Sequence, residues 1–203
     1  MPILPHTSSE SDSFRENKTI PKVIETEVLK ALSFYPELQK TSIEFVFKQN
    51  IKKSVMQAQP NVPAMIKGKR AYKINISALF KLTTTAIPIQ QIPKDILIGW
   101  IGHELGHVMD YENRNVFRMI RFGLGYLFST TYLREAERVA DTYAVNHGLG
   151  WYILQTKNFI LNHADLSEKY KSKIARLYLS PDDIVEQVRI LEQKQQLEAK
   201  KDL

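Results

Sequence analysis

At 203 residues the chain is long enough for one domain with a real core and short for two of ordinary size. Its 43% hydrophobic and 25% charged residues exclude fibrous and wholly disordered classes. A net charge of +6 spread without a basic run gives no reason to expect a nucleic-acid partner, and the absence of cysteine excludes disulfides and thiolate metal sites alike.

Residues 1–18 are polar, rich in Ser and Glu, and carry Pro2 and Pro5. They read as a flexible N-terminal arm, followed by a single domain over 19–203. The arm lacks a basic start followed by an apolar run, so no signal peptide is expected. No stretch of about 18 apolar residues suggests a spanning helix, and a cytoplasmic location is the expectation.

From Pro21 to Tyr35 apolar residues recur at a helical period, and Pro36 ends the pattern. Ser42–Phe47 alternates and is rich in β-formers, so a strand is predicted. Pro60 and Pro63 mark a loop. Residues 69–77 alternate again, with Tyr72, Ile74 and Ile76 on one face and Lys73 and Asn75 on the other. A helix is predicted from Pro93 to about Tyr111, and another from about Thr131 to His147, stopped by Gly148. Segments 151–163 and 167–179 also look helical. Ser180-Pro181-Asp182-Asp183 combines a cap residue, a first-turn proline and first-turn acids, so a last helix starts there.

The chemistry lies in His103-Glu104-Leu105-Gly106-His107. On a helix, positions i and i+4 share a face, so both imidazoles can reach one ion. Glu104 lies about 100° around the helix, where a carboxylate can hold a water and take its proton. Such a motif arises by chance roughly once per hundred chains of this composition. Here it sits inside a predicted helix with apolar flanks, where two His and a Glu are costly without a shared purpose. Without cysteine, the donors left are His nitrogen and carboxylate oxygen, which suit catalytic Zn2+. Gly99, Gly102 and Gly106 form a stripe on the same helix and predict close approach of another backbone.

A catalytic zinc site needs a third protein ligand from elsewhere. In 134–145, Glu137 and Asp141 are four apart and share a helix face, beside Ala140 and Ala144. Glu137 is assigned as the third ligand, with Glu135 as its rival. Asp141 is placed to accept a hydrogen bond from the outer N–H of a ligating His.

At these two segments the chain resembles the metallopeptidase family of the heat-shock membrane protease HtpX and the type 1 CAAX prenyl protease. The matching residues are His103-Glu104-Leu105-Gly106-His107 and Glu137-x-x-x-Asp141 with Ala140, Ala144 and Val145. The resemblance covers roughly residues 69–148. It implies metal ligation by His103, His107 and Glu137, water activation by Glu104, and an outer supporting role for Asp141. It also implies an α+β, mostly helical zincin-like (gluzincin) domain with a small sheet over the active-site helix. Members of that family commonly carry several membrane spans, and none qualifies here, so a minimal soluble form is the expectation.

The expected function is therefore zinc-dependent endopeptidase activity on a peptide or protein substrate. The alternative is a catalytically silent zinc-binding regulatory or interaction protein of the same fold. Segment 117–128 is apolar with two Arg and is a candidate for peripheral membrane contact. Tyr72–Ser77 is expected as an edge strand that a substrate could extend. Tyr143, His147, His163 and Arg176 are the candidates for an oxyanion donor, and the sequence does not choose among them.

Overall fold

Apolar residues at every second position build the sheet. β2 (Ser42–Lys48) and β4 (Ala71–Ser77) run parallel, with Ile43 opposite Tyr72, Phe45 opposite Ile74 and Phe47 opposite Ile76. This side of both strands packs into the core. On the other side Lys73 pairs with Glu44 at 2.9 Å. The computed structural model describes residues 13–49, 51, 54–80, 87–114, 129–163 and 166–200.

Two further strands, β1 (Lys18–Thr19) and β3 (Met56–Pro60), complete a mixed four-stranded sheet of order β1-β2-β4-β3. β1 is parallel to β2, and β3 is antiparallel to β4. Leu79–Phe80 (β5) and Ile87–Pro88 (β6) form a separate two-stranded ladder. Two expectations need correction here. The tail of the supposed arm is packed, since Phe14 is buried and Lys18 pairs with Ile43; residues 1–12 lie outside the described residues. Tyr72–Ser77 is not an edge strand, because β3 covers its other side.

β3 was hidden by weak β-formers. Met-Gln-Ala-Gln-Pro still alternates, with Met56 and Ala58 buried and Gln57 and Gln59 exposed. Pro60 fits at its end because an edge strand has backbone positions that owe no ladder donor. Pro63 is a first-turn residue of a short helix, α2 (Val62–Ile66), capped by Asn61.

The helices follow the sequence closely. α1 (Glu25–Leu32) ends before Pro36, as read. α3 (Lys94–Glu112) is the centre of the molecule: every residue from Ile96 to Tyr111 is buried. It is therefore apolar all round rather than on one stripe. α4 (Thr130–Ala144) is capped by Ser129 and runs into a wide turn at Val145–Leu149. Gly148 there has φ 86°, the left-handed region that favours glycine, and it turns the chain into α5 (Gly150–Asn162). α6 (Glu168–Leu177) follows a Ser167 cap. α7 (Pro181–Ala199) opens with a full capping box between Ser180 and Asp183.

The glycine stripe of α3 is explained by contact. A Cβ on Gly106 would fall onto the Ala140 backbone of α4, and one on Gly99 onto the Tyr152 carbonyl of α5. Gly102 meets only the end of the Leu149 side chain. Two helices thus approach α3 at backbone distance, which seats α4 and α5 directly against it. Among the described residues no helix is long and apolar enough to cross a membrane. Segment 117–128 lies outside the described residues.

Candidate metal centre

α3 presents His103 and His107 one turn apart toward α4, and Gly106 lets α4 come close enough to answer with Glu137. His103 Nε2 lies 3.0 Å from Glu137 Oε2, and His107 Nε2 lies 3.4 Å from the same oxygen. The two rings stand nearly perpendicular, with centroids 4.8 Å apart. One donor atom from each of His103, His107 and Glu137 fits within 4.8 Å, and all three residues are buried. This trio can hold a metal ion. Glu135, the rival ligand, is exposed on the opposite face of α4.

Asp141 supports the trio from behind. It is 0% exposed, and its Oδ1 accepts from His103 Nδ1 at 2.8 Å. Its Oδ2 accepts from the Leu179 amide at 3.0 Å and faces Lys157 Nζ at 3.0 Å. Burial alone would raise the Asp141 carboxyl, but Lys157 and then His103 outweigh it and hold the pKa below the usual range. Lys157, which the sequence reading did not single out, is itself buried and sits 3.9 Å over the Tyr178 ring.

The charges in the trio are shared. Burial disfavours the His103 cation, yet Asp141 and Glu137 raise its pKa to about 10. Glu137, opposed by its burial, is held well below the ordinary carboxylate range by hydrogen bonds from both histidines. Two anionic carboxylates and a proton on His103 therefore occupy a spot built for positive charge. His107 Nδ1 is buried and has no hydrogen-bond partner among the described residues, so His107 lacks the support that Asp141 gives His103.

Glu104 stands beside the trio and outside it. Its Oε2 accepts the Ala58 amide of β3 at 2.6 Å. In the β3–β4 ladder the Gln57–Asn75 and Gln59–Lys73 positions flank Ala58, so the amide of Ala58 is turned outward to the sheet edge. Burial raises the Glu104 pKa against the pull of both histidines, the direction a general base requires.

The expected oxyanion donors sit elsewhere. His147 donates from Nδ1 to the Tyr143 carbonyl at 2.7 Å, faces Glu37 at 3.3 Å and stacks on Tyr35. The Tyr143 hydroxyl takes the Asn113 amide at 2.9 Å. His163 packs edge-on to Phe159, and Arg176 is exposed. Instead Tyr170 and Tyr178, at the two ends of α6, close the space over His103 and Glu104. The Tyr178 ring lies 5.3 Å from the His103 ring. Sequence reasoning missed both tyrosines. The available signal was Tyr170, Ile174 and Leu177 at helical spacing in an otherwise cationic segment.

What remains between these walls is a cavity of about 20 Å³, bounded also by Met56, Trp100 and Ile153. That is room for about one water. No known protein family matches the chain, and no curated protein or solved structure is significantly similar to it.

Proposed function

We propose that the protein is a zinc-dependent endopeptidase of the kind that its two motifs resemble. One observation carries the reading: two imidazoles and a carboxylate from separate helices converge on a single point, with a further buried carboxylate beside them and outside the ligand set. The donor set fits zinc. Ligands about 2.0–2.1 Å from a tetrahedral ion are spaced about 3.3 Å apart, and the nitrogens lie 3.0 and 3.4 Å from the Glu137 oxygen. Three protein ligands also leave one position open, as catalytic sites require.

When bound, zinc supplies a Lewis acid that polarises a carbonyl and brings the pKa of water toward neutrality. The chain does the rest. His103 and His107 offer Nε2 and Glu137 offers Oε2. Asp141 fixes His103 by taking its Nδ1–H, which leaves Nε2 free to ligate. Glu104 accepts a proton from the attacking water and later delivers it to the leaving amine nitrogen. Its contact with the Ala58 amide keeps the carboxylate aimed along the edge of the sheet.

A second reading, a catalytically silent zinc-binding protein, is favoured by the small size of the cavity beside the site. One experiment separates the two. Metal content is measured for wild type, Glu104→Gln and Glu137→Ala, and cleavage of casein and of a peptide library is followed in parallel. The peptidase reading expects about one zinc per chain in wild type and in Glu104→Gln, cleavage by wild type alone, and loss of metal in Glu137→Ala. A Glu104→Gln variant that cleaves like wild type defeats it. Zinc without any cleavage by wild type favours the silent reading.

A further inference from the structure

The polar groups around the cavity are nearly all engaged. The single Thr156 hydroxyl proton is shared between the Ile96 carbonyl at 3.1 Å and the Tyr152 carbonyl at 2.9 Å. Asp141 is shared by His103, Lys157 and the Leu179 amide. Glu104 holds the Ala58 amide, and the Tyr111 hydroxyl donates to the Ala58 carbonyl at 3.4 Å. Tyr178 forms a wall, pressed between the His103 ring and the Lys157 ammonium.

Tyr170 is different. It lies in the first turn of α6, where Ser167 takes its backbone amide at 3.4 Å and sets the helix start. Its side chain lines the cavity with His103 and Glu104. Among the described residues its hydroxyl has no hydrogen-bond partner. Burial, and then the nearby Glu137 and Glu104 carboxylates, push the phenol well above its ordinary pKa, so it stays a donor at any working pH. Two carboxylates within electrostatic reach, and no acceptor among the described residues, describe a hydrogen-bond donor waiting for an external oxygen.

We propose that Tyr170 is a further catalytic residue, whose hydroxyl donates to the carbonyl oxygen of the scissile peptide as that carbon becomes tetrahedral. The inference rests on the peptidase reading above. As the water oxygen bonds to the carbonyl carbon, the C=O π pair moves onto the carbonyl oxygen, and the Tyr170 hydrogen bond to that oxygen strengthens. Tyr170 keeps its proton throughout. The π pair returns when the C–N bond breaks, and the amine leaves with the proton carried by Glu104. A donor that gains strength only as charge develops lowers the barrier without tightening substrate binding.

The test is Tyr170→Phe, which removes one oxygen and keeps the ring. Zinc content, kcat and KM on a cleaved peptide, and the affinity of a phosphinic peptide that mimics the tetrahedral carbon are measured beside wild type and Glu104→Gln. The expected result is unchanged zinc content and KM, with kcat down about 10²–10³-fold, the usual loss for one oxyanion donor. Phosphinic-peptide affinity should fall by about tenfold or more, since transition-state mimics depend on the same contact. A kcat and a phosphinic-peptide affinity both within about threefold of wild type overturn the role of Tyr170 and leave the peptidase reading standing. Cleavage that survives Glu104→Gln overturns both.

Discussion

Replacing Gly106 by alanine tests whether backbone contact between α3 and α4 sets the metal centre. A Cβ there would overlap the Ala140 carbonyl oxygen and lie 3.0 Å from its carbon and 3.1 Å from the Ala140 Cα. Carbon contacts prefer about 3.5–4.0 Å, so the helices must part by about 0.5–1 Å. Alanine gains about 1 kcal/mol in helix propensity, and overpacking a rigid backbone costs about 1–3 kcal/mol. The net expectation is a loss of up to about 2 kcal/mol. The functional loss is sharper, because His107 adjoins Gly106 while Glu137 lies one turn from Ala140. Metal–ligand distances tolerate only about ±0.2 Å, so zinc affinity should fall by tenfold or more. Gly102→Ala is the matched comparison. Its Cβ would meet only Leu149 Cδ1 at 2.7 Å, the tip of a side chain that can turn aside. It should hold zinc like wild type and melt at or near the wild-type temperature. Thermal melts of the metal-free proteins and competition titrations against a zinc chelator give both numbers. If Gly106→Ala matches Gly102→Ala in both, the helix contact does not position the ligands.

Asp141→Asn should weaken zinc binding by about 10–100-fold, because His103 loses the carboxylate that orients it; chelator competition checks this, and a change under threefold would speak against the support role. In metal-free protein, His103 titrates at about 10 instead of its ordinary 6.5. Its contribution is therefore fully present below pH 6.5 and lost as pH rises toward about 10. Urea midpoints of chelator-treated protein should fall across that window, and a flat profile would remove the charged His103 from the account. Gly148→Ala should destabilise by about 1–2 kcal/mol through its left-handed backbone alone, since the added carbon meets only the Phe34 ring at 3.6 Å. That corresponds to a drop in Tm of roughly 2–8 °C for a chain this size, and an unchanged Tm would refute the strain.

Period and punctuation made the helices legible. Ser180-Pro181-Asp182-Asp183 announces a helix start in local chemistry, and Gly148 announces a stop, so both appear where the residues put them. His103 and His107 were readable because their i,i+4 geometry is intrinsic to one helix. Glu137 was readable only through helix packing, and its distinction from Glu135 was a matter of which face of α4 turns inward. β3 was not legible. Gln and Ala have no β preference, and only the ladder to β4 makes Met56–Pro60 a strand. The error over the edge strand followed directly, because β4 looks like an edge until β3 is placed beside it. Tyr170 and Lys157 escaped for another reason. Their meaning depends on α5 and α6 folding back over α3, and no local pattern encodes that return.

One carboxylate ties distant parts of the chain to the candidate metal centre. Asp141 on α4 fastens His103 on α3, Lys157 on α5 and the Leu179 amide at the α6–α7 junction. Occupancy of that centre by a metal would thereby be coupled to the docking of the last two helices. Each favours the other by the same free energy, as reciprocal linkage requires. An empty molecule would release its last two helices most readily, and degradative enzymes that sample open states would find it there. The same bond network that orients an imidazole would thus make an empty molecule easier to degrade than a filled one.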